Sequence, residues 1–292
     1  MSENTPTPGP SATDHDDSGD THPLSGLPDW FTKREVIPLD DQLALVVCHK
    51  DMRRIVALCR EVAASGQPVL LTGETGVGKS LLARFIHVER DPYAPFATMT
   101  TAGLEAAALM PAIFGDRHAP QPKPPLVAEA AGGTLVLEEM GDLPRAVQRA
   151  VMRAWDQMEG RAPAGEEYPA LPAQWICTTN QPLRALEAPG AMEPGFLERF
   201  RRVHVPPLRE RKQDIPAIVA YFSRLKASRE ASLESLEALS RRLKRHTFPG
   251  NVRELESLVS LEAGGLDWQW RIDGPNRGFF LGAGAPSAKR RR

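Results

Sequence analysis

Eight residues in the first part of the chain have the types and spacing of a phosphate-binding loop. Residues 73–80 follow the pattern G-x-x-x-x-G-K-S, with β-prone residues before them and a helical apolar pattern after them. Glycines permit a positive φ and a close approach of the backbone, so successive N–H groups can face a polyphosphate. In this arrangement Lys79 contacts the β- and γ-phosphates and the Ser80 hydroxyl binds Mg²⁺. The residues predicted to contact a nucleotide are Gly73, Glu74, Thr75, Gly76, Val77, Gly78, Lys79, Ser80 and Leu81.

Hydrolysis of a nucleoside triphosphate also needs a metal ligand, a group that orients water and a positive charge near the transferred phosphate. Glu138 and Glu139 end an apolar run and are candidates for binding Mg²⁺ and for orienting the attacking water, respectively. Asn180 ends another apolar run and is a candidate contact to the γ-phosphate or to that water. Arg199 and Arg253 are candidates for the positive charge. The alternatives are a glycine-rich turn without a ligand, solvated acids at a strand end, an ordinary turn asparagine and surface arginines.

The elements that must position these residues follow from the apolar patterns. Helices are predicted between four short strands, which favours a doubly wound, mainly parallel α/β sheet. One helix is expected to begin with Asp51 as its cap, one follows the phosphate-binding loop, and one begins with Pro144 at its first position. Prolines within residues 116–125 predict an exposed loop. The predicted strands are residues 69–72, 95–100, 134–139 and 175–180, and a further helix is predicted over residues 104–114.

The pattern becomes purely helical after residue 209, which predicts a second, smaller domain. Its helices are expected over residues 215–225 and 233–246, with a third that begins at residues 249–251. After them, alternating apolar residues predict a β-hairpin, followed by a short basic tail. The predicted domains are a disordered acidic tail (residues 1–28), a nucleotide-binding αβα domain (29–208), a helical lid (209–263) and a C-terminal extension (264–292).

The composition narrows the class of protein. The chain has 292 residues, of which 41% are hydrophobic and 25% charged, and its net charge is −1. Such a chain is predicted to be globular. Its net charge near zero does not indicate a protein that binds nucleic acid or an anionic membrane over its whole surface. Its three cysteines are far apart, and neither a long apolar run nor a signal peptide is evident. A cytoplasmic protein with reduced thiols is therefore expected.

Four motifs together resemble one family. Residues 69–87, 132–144, 206–211 and 248–256 are similar to the AAA+ domain of sigma-54-dependent transcription activators, the bacterial enhancer-binding proteins. The similarity extends over roughly residues 45–262. It implies ATP and Mg²⁺ as ligands and a homo-oligomeric ring whose nucleotide sites lie between subunits. By position, it also implies Walker A at residues 73–80, Walker B at Glu138 and Glu139, sensor I at Asn180, sensor II at Arg253 and an arginine finger at Arg199.

The chain departs from the pattern of that family at several positions. Walker B normally reads Asp-Glu, whereas here Glu138 places the metal-binding carboxylate one methylene further out. The first of the family's two arginine fingers corresponds to Glu193, and the asparagine that restrains the Walker B glutamate corresponds to Thr100. The GAFTGA loop that contacts the sigma factor is expected after Gly115, where the shortened, proline-rich residues 116–125 stand instead. No helix-turn-helix pattern follows the lid.

Three functions are compatible with these observations. The first is an AAA+ oligomer that hydrolyses ATP to remodel a protein client different from, or additional to, that of the activators. The second is a shortened activator that acts on sigma-54 RNA polymerase while another subunit binds DNA. The third is a nucleotide-responsive binding module with little turnover, which Glu138 and Glu193 suggest. A DNA-binding motif or a membrane segment is expected in none of them.

Overall fold

A computed structural model describes residues 35–40, 43–116, 124–161, 170–226 and 233–263. Its strands are β1 Glu35–Pro38, β2 Ala44–Val47, β3 Val69–Thr72, β4 Phe96–Thr100, β5 Thr134–Glu138, β6 Gln174–Thr179 and β7 Arg201–His204. The last five form a parallel sheet in the order β4-β5-β6-β3-β7, and β1 and β2 form a separate antiparallel pair. The predicted parallel α/β fold is confirmed.

Amphipathic helices connect the strands of the sheet. Short 3₁₀ turns lie at Met140–Asp142, Leu197–Arg199 and Leu208–Glu210. Among the described residues, no helix is long and apolar enough to cross a membrane. The helices between the strands are α1 Lys50–Ser65, α2 Lys79–Arg90, α3 Ala106–Phe114, α4 Leu126–Glu129, α5 Arg145–Met158 and α6 Leu183–Leu186.

Two apolar cores lie on opposite faces of the sheet. Successive residues of β3 belong to different cores, Leu70 to one and Leu71 to the other, because side chains alternate across a strand. The first core is built around Trp155 and Trp175, whose rings meet edge to face at 6.0 Å between centroids. The second contains Phe85 and the buried side of α1. Both faces of the sheet are therefore covered, as in a doubly wound fold.

The register of the sheet determines where the polar strand ends lie. Thr72, the last residue of β3, is the partner of Thr179, the last residue of β6. Because the five strands are parallel, their carboxyl ends lie along one edge, where ligands bind in open α/β sheets. Gly73, Glu139 and Asn180 follow β3, β5 and β6 directly, so the sheet brings the predicted site residues to this edge.

Several details differ from the sequence predictions. His49, not Asp51, caps α1, since its ring accepts a hydrogen bond from the Asp51 N–H, and the prediction of Asp51 as the cap is wrong. Pro144 is the N-cap of α5 rather than its first residue. The strands β1, β2 and β7 were not predicted, and β7 carries two exposed arginines at the edge of the sheet, which masks its strand pattern.

Some predictions concern residues outside the described ranges. They are the disordered tail over residues 1–28, the hairpin and basic tail after residue 263, and most of the proline-rich loop.

Three C-terminal helices pack around a core of their own. They are α7 Ile215–Lys226, α8 Leu233–Leu243 and α9 Asn251–Ala263, called the lid helices below. Their core contains Phe248 and Leu255, and two residues of the β2 segment, Val46 and Cys48, belong to it as well. The N-terminal hairpin therefore joins the lid helices to the layer formed by the sheet.

A buried ion pair between Arg211 and Asp214 contacts both the end of the N-terminal hairpin and the phosphate-binding loop. The side chain of Arg211 is 4% exposed and that of Asp214 is fully buried, with 3.5 Å between Nη1 and Oδ2. Asp214 Oδ1 accepts hydrogen bonds from the N–H groups of Cys48 and His49, at 2.9 and 2.7 Å. Arg211 donates to the carbonyl oxygen of Val77 in the phosphate-binding loop. One pair of charges thus satisfies backbone groups from the hairpin and from the loop.

We expect Asp214→Ala to lower the free energy of unfolding by about 3–5 kcal/mol, because it leaves a buried guanidinium without its carboxylate. Denaturation in urea of the parent and the variant measures this difference. Asp51→Ala is the control, since Asp51 forms an exposed pair with Arg54 at 3.3 Å, which is worth at most about 1 kcal/mol. If Asp214→Ala lowers the free energy of unfolding no more than the control does, the buried pair does not stabilise the fold.

Candidate functional site

The phosphate-binding loop, residues 73–80, turns between β3 and α2 with three glycines in conformations that other residues rarely adopt. Their φ angles are 149° at Gly73, 79° at Gly76 and 106° at Gly78. Gly78 is the N-cap of α2, and the first residues of that helix line a cavity. The N–H groups at a helix N-terminus, together with its dipole, favour a bound anion. The backbone of the loop therefore fits a polyphosphate.

The cavity over this loop has a volume of about 1070 Å³ and a chemically mixed lining. Lys79 and the carboxylates of Glu138 and Glu139 are among its charged residues. Met52 and Tyr221 are among its apolar and aromatic residues, and burial raises the pKa of the Tyr221 hydroxyl above its usual value. A nucleoside triphosphate, with charged phosphates and an aromatic base, matches such a lining.

Lys79 is 7% exposed and lines the cavity. Its ammonium donates to the carbonyl oxygens of Gly73 and Glu74, at 2.8 and 3.1 Å. Burial lowers the pKa of Lys79, while the nearby carboxylates of Glu139 and Glu138 act in the opposite direction. The ammonium is thus held by the loop itself, in a place from which it can contact phosphate oxygens.

Ser80 and Glu138 meet directly, with 2.6 Å between the hydroxyl Oγ, which donates, and Oε1. Hydroxyl and carboxylate oxygens are ligands that Mg²⁺ prefers, and Mg²⁺ in nucleotide sites usually takes the rest from phosphates and water. Within the described ranges no cluster of three or more His, Cys, Asp or Glu side chains could hold a metal by itself. The donor set therefore fits a metal ion that arrives with a nucleotide. The longer side chain of Glu138 still reaches the end of the loop.

Glu139 has a left-handed backbone conformation, with φ 58° and ψ 45°. For a residue other than glycine this costs about 1–3 kcal/mol and persists only where the surroundings enforce it. Its carboxylate Oε2 accepts a hydrogen bond of 3.1 Å from the N–H of Asn180. The side-chain amide of Asn180 in turn lies 3.5 Å from the hydroxyl of Thr75 in the loop. The structure brings these two predicted catalytic residues together beside the loop.

Arg253 reaches the cavity from the lid helices, because it lies in the first turn of α9. The start of α9 rests directly on the phosphate-binding loop, where the Val252 N–H donates to the Gly76 carbonyl at 2.9 Å. A Cβ atom on Gly76 would lie only 2.3 Å from the carbonyl oxygen of Gly250. Position 76 therefore has no room for a side chain, and the docking of the lid helices requires glycine there as much as its φ does.

Glu74 extends the contact between the loop and the lid helices. The guanidinium of Arg209 donates two hydrogen bonds to its carboxylate, at 2.6 and 2.8 Å. The buried Asn251 amide donates to the same carboxylate at 3.1 Å and to the carbonyl of Thr75 at 3.0 Å. The hydrogen bond from Arg209 is the main reason why the pKa of Glu74 falls to about 2. The Glu74 side chain thus links the phosphate-binding loop to Asn251 at the start of α9.

Arg199 lies outside the group of described residues that line the cavity of its own chain. Its guanidinium forms an ion pair with Asp156 of α5 and is 21% exposed. Glu193, at the position of the family's first finger, binds two exposed arginines of the same helix, Arg145 at 2.9 Å and Arg149 at 2.6 Å. Both residues are thus paired with side chains of α5, and neither is among the described residues that line the nucleotide pocket of the same chain.

Three residues near the site were missed as functional candidates. Arg211 donates a hydrogen bond to the carbonyl oxygen of Val77 in the phosphate-binding loop. The hydroxyls of Thr101 and Thr178 bond to the backbone of Glu139 or of its neighbour. Buried threonines at strand ends carry no signal of such a role in one sequence, whereas Arg211 belongs to the motif at residues 206–211 and could have been suspected.

Comparison with known families agrees with the motifs. The Sigma-54 interaction domain matches residues 45–206, and the AAA+ ATPase lid domain matches residues 209–262. The response regulator protein PilR of Pseudomonas aeruginosa is 33% identical over 236 residues, which are 77% of this chain and 52% of PilR. The DNA-binding transcriptional regulator NtrC of Azospirillum brasilense is 30% identical over 229 residues, or 75% of this chain and 48% of that protein. The chain thus spans about half the length of these curated relatives.

Solved structures show the same similarity. A crystal structure of NtrX from Brucella abortus matches with a TM-score of 0.61 and 26% identity, covering 78% of this chain and 53% of NtrX. A structure of NtrX in complex with ATP matches with a TM-score of 0.60 and 27% identity, covering 80% of this chain and 54% of NtrX. The resemblance inferred from the motifs is confirmed.

We expect Glu74→Gln to melt about 2–4 °C below the parent at pH 7, because an exposed charge pair contributes at most about 1 kcal/mol. The pKa of Glu74 is lowered from 4.5 to about 2, so its stabilising effect is complete above about pH 4.5 and is lost as the pH falls towards 2. The difference in Tm should therefore shrink over that window. Calorimetry at several pH values measures it.

The control for this experiment is Glu61→Gln, which changes an exposed carboxylate on α1. Its Tm should stay close to that of the parent at each pH. A Glu74→Gln difference that is constant from pH 7 to pH 3 would contradict the charge-based account of this contact.

Proposed function

Since the chain belongs to the Sigma-54 interaction domain family of AAA+ proteins, we propose that it binds ATP with Mg²⁺ and hydrolyses it within an oligomer to remodel a protein partner. All three cysteines of the chain, Cys48, Cys59 and Cys177, are buried thiols, which supports a reduced, cytoplasmic setting for this activity.

The observation that carries this proposal is the contact of Ser80 with Glu138 beside Lys79 in one cavity. Lys79 and Ser80 begin α2 and Glu138 ends β5, and the parallel sheet brings these two elements together. A ligand-free glycine-rich turn would not require a buried lysine or a carboxylate on the following serine. That the related NtrX has been solved in complex with ATP supports ATP as the nucleotide here.

The residues have separate roles in the proposed reaction. The loop N–H groups and Lys79 bind the phosphates, and Mg²⁺, when held by Ser80 and Glu138, supplies further positive charge to their oxygens. Glu139 orients a water molecule towards the γ-phosphorus and accepts its proton as the bond to the β-phosphate oxygen breaks. Asn180 binds Glu139 through its backbone N–H, and its side chain is free to turn from Thr75 towards the phosphate.

An oligomer is proposed because two cations of the chain, Lys79 and Arg253, lie at the cavity, whereas the predicted finger, Arg199, lies elsewhere. Arg199 is held on a surface of its own by Asp156, outside the cavity. An arginine placed there can act on the nucleotide of a neighbouring subunit, as the resemblance implies. The AAA+ domain and lid in one chain then bind the nucleotide, and the neighbour completes the site.

A shortened activator of sigma-54 RNA polymerase is the second candidate, and the family match supports it. It differs from the first in the partner alone. Retention of sigma-54 on the protein with a nucleotide transition-state analogue, and not with ADP, would favour it over a different client.

A nucleotide-responsive module with little turnover is the third candidate. Glu193, with its two bound arginines, is the observation in its favour, since a carboxylate there cannot replace a finger. A steady-state hydrolysis rate near the uncatalysed background, with normal ATP affinity, would favour this candidate.

We expect Lys79→Ala to weaken ATP binding by at least about 100-fold, because two phosphates lose their charge-assisted hydrogen bonds. Titration with a fluorescent ATP analogue measures the affinity. Lys50→Ala, at an exposed lysine of α1, is the control and should bind as the parent does. Unchanged affinity in Lys79→Ala, with a normal melting curve, would contradict the assignment of the phosphate-binding loop.

We expect Arg199→Ala to bind ATP normally and to lose about 10³-fold in hydrolysis rate, because the arginine acts on the transition state in a neighbour. Mixing Arg199→Ala with Lys79→Ala should restore part of the activity, since one subunit supplies the intact pocket and the other the intact arginine. The specific activity of the parent should also rise with protein concentration.

The control is Arg202→Ala, which removes an arginine of β7 paired with Glu187 at 2.6 Å. It should hydrolyse ATP at the rate of the parent. Activity that is independent of concentration, together with no rescue on mixing, would show that each chain works alone.

A further inference from the structure

The backbone of Glu139 is strained, and the groups that impose the strain come from the two strands on either side of β5. Glu139 is the first residue after β5 and has a φ of 58°. Only three residues other than glycine have a positive φ in the described part of the chain, and Glu139 alone among them belongs to the catalytic candidates. A glutamate relaxes to another conformation unless its neighbours prevent it.

Thr101 holds this segment from the side of β4. It is completely buried, and its hydroxyl lies 3.0 Å from the carbonyl oxygen of Glu138 and 3.1 Å from that of Glu139. Its backbone N–H also donates to the Glu138 carbonyl, at 2.8 Å. The Thr101 hydroxyl thus contacts the carbonyl groups on both sides of the strained Cα. It adds to hydrogen bonds that these carbonyls already accept from backbone N–H groups, of Thr101 for Glu138 and of Asp142 for Glu139.

Thr178 holds the segment from the side of β6. Its hydroxyl accepts a hydrogen bond of 3.4 Å from the Glu139 N–H, and the residue is 2% exposed. The peptide group between Glu138 and Glu139 is therefore held from both neighbouring strands, and the Glu139 carbonyl is held by Thr101. These contacts hold the backbone from which the Glu139 carboxylate reaches the Asn180 N–H.

We propose that Thr101, assisted by Thr178, is a positioning residue for hydrolysis, which holds Glu139 in the left-handed conformation that directs its carboxylate to the reacting water. This inference rests on the proposed function, because it assigns to Glu139 the orientation of that water. Thr100, the neighbour that corresponds to the family's restraining asparagine, is exposed on β4, whereas the hydroxyl that contacts the Glu139 backbone belongs to Thr101. The restraint therefore acts on the backbone of the glutamate, one residue further along the chain.

The test replaces the hydroxyl without changing the shape of the side chain. Thr101→Val should lower kcat by about 10- to 100-fold, because a displacement of about 1 Å at a reacting group has an effect of that size. The Kd for ATP should stay within about twofold of the parent, because the phosphate-binding loop is untouched. Thr101→Ser, which restores the donor, should recover the rate to within about threefold of the parent. Thr98→Val, on an exposed residue of β4, which ends just before Thr101, is the control and should change neither value.

A merely structural role for Thr101 predicts a different result. Loss of a buried hydrogen bond would lower the Tm, yet leave kcat per folded molecule unchanged. A kcat equal to that of the parent in Thr101→Val, or a Thr101→Ser variant no better than Thr101→Val, would overturn the inference. Thr178→Val provides a second case if Thr101→Val folds poorly, and the loss in kcat should go in the same direction.

A second measurement does not depend on hydrolysis. Amide hydrogen exchange of the nucleotide-free protein, followed in peptides that contain Asn180, should be at least about tenfold faster in Thr101→Val, because its N–H loses the aligned Glu139 acceptor. Peptides from β3 should exchange as in the parent. If the parent itself fails to hydrolyse ATP, the proposed function is wrong, while faster exchange at Asn180 would still support the restraint. Unchanged exchange at Asn180 in the variant would overturn it.

Discussion

The phosphate-binding loop of this protein is coupled to the lid helices, because the Gly76 carbonyl and the Glu74 side chain form hydrogen bonds with α9. The Gly76 carbonyl accepts from the Val252 N–H, and Gly76 has no room for a Cβ beside the Gly250 carbonyl. Glu74 adds a charged contact to Arg209 and Asn251. Any nucleotide that shifts this loop must therefore shift the lid, which is the elementary step by which an AAA+ domain can turn binding into motion.

The charges in the cavity are consistent with the proposed metal ion and the proposed neighbouring subunit. The cavity is lined by three cations, Lys79, Arg211 and Arg253, and by four carboxylates, those of Asp40, Glu138, Glu139 and Glu256. A nucleoside triphosphate brings several further negative charges into a partly dry space, where uncompensated charge is costly. The contact of Glu138 with Ser80 fits a role in holding Mg²⁺, and the remote Arg199 fits a role in a neighbouring site. As proposed, both would supply positive charge opposite the carboxylates that line the pocket of one chain.

Two departures from the family pattern, Glu138 and Glu193, have local physical explanations. Glu138 is longer than the usual aspartate, yet it reaches Ser80 at 2.6 Å, so the extra methylene is absorbed without loss of the contact. Glu193 is satisfied by Arg145 and Arg149, so a carboxylate at that place forms a stable surface cluster. Neither residue is left without a partner, and the fold accepts both changes.

The sequence by itself determined the parts of this protein that local chemistry specifies. The loop at residues 73–80 could be assigned from spacing alone, because its glycines, lysine and serine each have a physical reason to be there. The strands β3, β5 and β6 were predicted because buried parallel strands are short apolar runs. The tertiary structure decided what depends on contacts between distant segments. Asp214 binds the backbone of residues 48 and 49, and Thr101 and Thr178 fix Glu139 from opposite sides. Such contacts join residues tens of positions apart, and a single sequence carries no pattern that records them.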